Sequence, residues 1–135
     1  MAVFVLKDAS VSVNSVSLSA YVTAVTLNYE YDSVEVTAMG ATGHKFTGGL
    51  QNISCDVTFN QDFASSQVAA TLDALVGATT TVVIKPTSAA VSATNPSYTI
   101  TDAYLAATQP VAGSVGDLAS MSVSFTGGSL AKAVA

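Results

Sequence analysis

The chain reads as mainly β: an antiparallel β-sandwich or barrel of about six to eight strands with one flanking α-helix near residues 65–76. Apolar residues alternate with Ser, Thr and Asn in several separate segments. β-Branched Val and Thr dominate those segments, which suits a pleated, half-buried surface. One segment alone carries apolar residues at helical spacing.

In TAVTLNY, Val25, Leu27 and Tyr29 share one face while Thr26 and Asn28 take the other. ISCDVTF sets Ile53, Cys55, Val57 and Phe59 against Ser54, Asp56 and Thr58, and MSVSF sets Met121, Val123 and Phe125 against two serines. Such period-two patterns mark half-buried strands. TTTVVIKP and SYTITDAYLA add two more, each beside a proline that must lie at an edge or an end because it has no N–H to give the ladder. The apolar phase slips at Tyr31-Asp32-Ser33 and hands over to Val34 and Val36, which predicts a bulge or tight bend. From Ser65 to Val76, residues Val68, Leu72, Leu75 and Val76 predict a helix, with Ala69, Ala70 and Ala74 favouring it. Asp62, Ser65 or Ser66 is its N-cap candidate, and Gly77 its stop. NPS and QPVAGSVGD read as turns, the second a long hairpin loop. FTGG occurs at 46–49 and again at 125–128, but the flanks differ, so it reads as coincidence or as two similar turns. Nothing marks a boundary or linker, so residues 1–135 are read as one domain.

Composition narrows the function classes. Half of the 135 residues are apolar and 10% are charged, against about a quarter charged in an ordinary soluble domain. No apolar run approaches the roughly 20 residues of a membrane-spanning helix. The N-terminus MAVFVLKDAS has no positive region ahead of its short apolar run and does not read as a secretory signal. The net charge is −5, there is no Arg, and four scattered lysines cannot build a phosphate-gripping surface. A single cysteine, Cys55, excludes an intramolecular disulfide and a cysteine-based zinc cluster, and its place in an alternating strand makes it a buried thiol. The outward positions of the strands are mostly Ser, Thr, Ala and Asn instead of the charges that usually blunt sheet edges. Long edges of that kind are hazardous in a monomer, so the pattern argues for an assembly of identical copies.

GATGHKFTGG, residues 40–49, holds four of the chain's glycines, its only histidine and one of its lysines. As a catalytic site it lacks partners, since His44 is the sole imidazole and no base or orienting group accompanies it in sequence. As a phosphate loop it lacks the G-x-x-x-x-G-K-[ST] spacing, with Phe46 standing where a hydroxyl should follow the lysine. Glu30, Asp32 and Glu35 in YEYDSVE could recruit calcium, but no loop of alternating carboxylates is present, and a solvated acidic face accounts for them. Tyr21, Tyr29, Tyr31, Tyr98 and Tyr104 could form a sugar-binding platform, although strand tyrosines more often pack a sheet. No cofactor or metal is implied.

The run VTAVTLNYEYDSVEVTAMGATGHKFTGGLQNISCDVTFNQDF resembles the tail tube proteins of long-tailed phages. The matching features are a strand pair with V-E-V-T, a Gly-rich excursion, F-x-x-G-L and an alternating S-x-D-V-T-F strand, followed by a helix and closing strands that end in FTGG. The resemblance covers about residues 10–128 and rests mainly on the order of elements. It implies a β-sandwich subunit with no enzymatic activity, assembling into rings, usually hexameric, that stack into a hollow tube for DNA passage. Its place is then the virion tail, after synthesis in the host cytoplasm. Its partners are itself and other tail proteins, without a membrane. Met39 to Gly49 becomes the loop that touches the neighbouring ring: Gly40, Gly43, Gly48 and Gly49 let it bend, His44 lies within it, Phe46 anchors it and Lys45 is placed to pair with an acid across the contact. Residues 127–135, and Met1 to Lys7, become arms that order on assembly. Asp56 and Asp102 are the first candidates to line the channel, where carboxylates and hydroxyls leave DNA free to slide, and Asp73 on the helix faces outward. The chain is short for that family, and its low charge is extreme for a tube exterior. A capsid decoration or head–tail ring protein, and a cell-surface β-sandwich adhesion module, are the alternatives.

Overall fold

The computed structural model describes residues 5–63, 65 and 67–134. Its elements run β1 (Ser10–Val13), β2 (Val16–Ser17), a 3-10 turn (Ser19–Tyr21), β3 (Val22–Glu35), β4 (Phe46–Asn60), α1 (Val68–Asp73), β5 (Ala78–Lys85), β6 (Ser97–Leu105), β7 (Ser120–Thr126) and β8 (Ser129–Ala133). All pair antiparallel in one sheet of order β2-β1-β5-β6-β7-β4-β3, with β8 against β6. The mainly β architecture with a single helix is the one the alternation predicts.

Where alternation is regular, one face is the core. Cys55 lies opposite Phe125, Val57 opposite Val123 and Phe59 opposite Met121, and all six side chains are buried. Fully burying side chains of this size stabilises the fold by about 1.5–3 kcal/mol each. Helix α1 lays Val68, Ala69 and Leu72 on that core. It is shorter than the expected 65–76, because Leu75 N–H bonds back to Leu72 in a tighter turn and Gly77, at φ +80°, leads the chain into β5. Gln67 occupies the cap position without a side-chain cap bond. Of the expected caps, Asp62 instead offers its backbone carbonyl to Ala69 N–H, Ser65 does not serve as the cap, and Ser66 lies outside the described residues.

Burial governs Cys55. Desolvation, and secondarily the neighbouring Asp56 carboxylate, pushes its thiol up to about 12 from 9.0. The folded protein should therefore resist a thiol reagent at pH 8 and react promptly once denatured; labelling followed by mass spectrometry checks this. Raising the pH from 9 towards 12 ionises the thiol of the unfolded chain first, so this group's contribution to stability is lost across that window.

Both FTGG sequences sit at breaks in the ladder. The register of β6 against β7, with Tyr104 opposite Thr126, continues unchanged into β8, with Thr101 opposite Ser129. β7 and β8 are thus one strand interrupted at Gly127–Gly128, beside a β6 bulge where Asp102 has φ +62°. A Cβ on Gly128 would lie 2.2 Å from the Thr101 carbonyl oxygen. In the first FTGG, the register shifts between the Tyr31–Gln51 and Ser33–Gly48 pairs, at the level where the apolar phase of β3 slips but not within β3 itself. The extra residue lies on β4, and a Cβ on Gly49 would meet the Asp32 carbonyl oxygen at 3.2 Å. In each phrase the second glycine lies close to a neighbouring backbone, Gly49 in the strand that carries the extra residue and Gly128 opposite a bulge in β6.

The C-terminal residues differ from the expectation. Residues 129–133, read as part of an arm, form β8 within the chain's own sheet, because their backbone completes the β6 edge that β7 leaves open. Of the expected N-terminal arm, residues 1–4 lie outside the described residues, as does Ala135 at the other end. No helix among the described residues is long and apolar enough to cross a membrane.

Candidate assembly surface

β3 and β4 outrun the rest of the sheet. β7 pairs β4 only over Ser54–Asn60, so the first half of β4 has β3 as its ladder partner. Beyond that point the two strands form a free ribbon in which every residue from Tyr29 to Leu50 is exposed. An ordinary half-buried ribbon would hide alternate residues. This one instead shows solvent Tyr29, Tyr31, Val34, Val36, Met39, Phe46 and Leu50, the last 81% exposed. Apolar display on both faces of a two-stranded arm marks a surface made to be covered.

The arm is well formed to its tip. Tyr29 and Tyr31 approach at 5.8 Å between ring centroids, and Gln51 Nε2 donates to the Tyr31 hydroxyl at 3.0 Å. Their shared contact holds the Tyr29 phenol above its ordinary range and the Tyr31 phenol below it, as expected when Tyr29 donates and Tyr31 accepts. At the tip, Thr37 donates to the Glu35 carboxylate at 3.0 Å and accepts the Lys45 backbone N–H at 2.8 Å. His44 Nδ1 meets the same carboxylate at 2.5 Å, and its ring lies 6.5 Å from that of Phe46.

Sequence placed the loop at Met39–Gly49, and the structure redraws its end. The irregular tip spans residues 36–45, holding Met39, Gly40, Gly43, His44 and Lys45, and only Gly40 of its glycines has a positive φ, +87°. Phe46, Gly48 and Gly49 are strand residues of β4, with Phe46 opposite Glu35 and Gly48 opposite Ser33. They read as loop because both faces of this half-strand are exposed, so nothing in the residue pattern signals pairing.

The outward face of the β4–β7 pair is a hydroxyl carpet. Asp56 accepts from Ser124, Thr58 and Ser122 hydroxyls are 3.1 Å apart, and Asn28 donates to Ser54 at 3.0 Å. Neither strand has a lysine. Asp102 is exposed on the same sheet, with β7 between it and β4, but at the level of Gly127–Gly128 and not of Ser124. Among the described residues no cluster of three metal-ligating side chains occurs. Asp73 is exposed on the helix and accepts from Thr108 at 3.3 Å.

Sequence reasoning overlooked a second apolar surface. The loop 106–119, read only as a hairpin connection, exposes Val111, Val115 and Leu118. Three large apolar residues in a Pro- and Gly-containing turn were the available signal.

No family model and no curated protein matches the chain. Solved structures do. A chain in the extended PVC sheath/tube terminator of an extracellular contractile injection system matches at TM-score 0.70 and 12% identity, covering 96% of this chain and 95% of that one. One in the PVC sheath–tube complex of such a system matches at TM-score 0.67 and 10% identity, over 94% and 88%. One in the virion of a native gene transfer agent particle matches at 0.64 and 15%, over 93% and 95%. At these identities the likeness is one of fold: nearly end to end, the chain has the fold found in tube-bearing injection systems and in a gene transfer particle.

Proposed function

We propose that the chain is the structural subunit of a phage-type tail tube, assembling through its own copies into rings, six to the ring as is usual in the family it resembles, that stack around a channel. The observation that carries this reading is the β3–β4 arm, paired along its length yet apolar on both faces, on a fold shared with injection-system components. Met39, His44, Lys45 and Phe46 at its end then reach the next ring. The lysine-free carpet of Ser54, Asp56, Thr58, Ser122 and Ser124 suits a channel lining, because with no cation on it and a carboxylate at Asp56 it gives DNA phosphates no charge to pair with. Its partners are further copies and other tail proteins, its place is the particle's tail, and it works without cofactor or catalysis.

One observation favours a second reading, a ring that closes a tube without extending it: a terminator is among the matched structures. Sedimentation velocity across a concentration series separates the two. A tube subunit sediments as growing particles above a threshold concentration, and a terminator stops at one ring. Monomers throughout would contradict both.

A further inference from the structure

Stacking identical rings requires a heterologous contact, in which one surface of the chain meets a different surface of the next copy. The arm is one such surface. We infer that its partner is the loop 106–119 of the next copy, an inference that rests on the tube-subunit reading.

Position supports this pairing first. β4 starts at the arm's end with Phe46 and finishes at Asn60, which pairs with Ser120, the residue immediately after the loop. At about 3.3 Å per residue, arm and loop therefore lie at opposite ends of one strand, roughly 45 Å apart. Gln61, just past β4, fixes the loop there by donating from Nε2 to the Pro110 carbonyl at 2.9 Å. A donor at one end and an acceptor at the other is the arrangement that stacks head to tail without closing on itself.

Charge supports it independently. The arm tip, residues 36–45, carries Lys45 and His44 and no acid, while the loop carries Asp117 and no base. His44 and Thr37 already occupy the Glu35 carboxylate, and among the described residues Lys45 forms no ion pair. Asp117 is exposed, with its backbone N–H turned to Ser114. Apolar chemistry matches as well, since Met39 and Phe46 face solvent on one side and Val111, Val115 and Leu118 on the other. The contact thus joins an apolar patch with a cationic flank to an apolar patch with an anionic one, which sets polarity as well as attraction.

One added cysteine per variant tests it, because the native thiol Cys55 is buried. Met39→Cys and Val115→Cys protein, mixed at assembling concentration and oxidised with diamide, should give a disulfide-linked dimer that neither variant gives alone. Separately, Lys45→Glu or Asp117→Lys should raise the assembly threshold by about tenfold, and the two changes in one chain should restore it to within about twofold. Particles that assemble while the mixture fails to cross-link, or charge reversals that do not compensate, overturn the pairing and leave the tube reading standing. Absence of particles from the unmodified protein overturns both.

Discussion

Gly128→Ala is expected to destabilise the subunit by about 3 kcal/mol or more, a large share of an ordinary domain's stability. The new Cβ would stand 2.2 Å from the Thr101 carbonyl oxygen and 3.0 Å from the Asp102 carbonyl, and both are backbone atoms of a core strand that cannot swing aside. A φ of +80° adds the strain of a left-handed L-residue. Gly127 is the control: its φ is +77°, but nothing lies within 4 Å of the place a methyl group would take, so Gly127→Ala carries backbone strain alone, about 1–2 kcal/mol. Denaturant midpoints at constant slope measure the difference. Equal shifts for the two variants would mean that β7 and β8 do not meet the Asp102 bulge in the described way.

Met39→Ser combined with Phe46→Ser should leave folding untouched and remove assembly. Met39 is fully exposed and Phe46 is 62% exposed, so neither supports the core, and surface changes of this kind alter stability by about 0.5 kcal/mol or less. At an interface, a buried apolar anchor contributes about 2 kcal/mol, some thirtyfold in the concentration needed to assemble, and two anchors compound. The thermal midpoint of dilute protein and the sedimentation threshold of concentrated protein read the two effects separately. An unmoved threshold would show that the arm tip is not the contact.

Legibility in the sequence followed burial. Residues 53–59 and 121–125 alternate because one face packs on the core, and both strands are where the pattern puts them. The slip at Tyr31–Ser33 falls at the level of a register shift, but the extra residue there is on β4 and both faces are exposed, so the β3 pattern marks the level of the irregularity and not the strand that carries it. Phe46–Leu50 gave no such signal: with both faces exposed and two glycines within it, the segment looks like loop although its backbone pairs with β3. The β1–β2 hairpin turns on Asn14 and Ser15, both at positive φ, in a segment too short for periodicity to resolve. β8 is a strand because β6 has an unfilled edge, a fact about topology that SLAKA cannot express by itself. Of the candidate site, the residue set around Met39–Phe46 was readable from its odd composition. The loop 106–119 was not, because its meaning depends on lying at the far end of β4.

Electron microscopy of the purified, negatively stained protein tests the central claim most directly. Concentrated samples should show hollow tubes or stacked rings with a central channel, which disperse on dilution. Featureless monomers at every concentration would contradict the assembly account and leave the apolar arm without its proposed role.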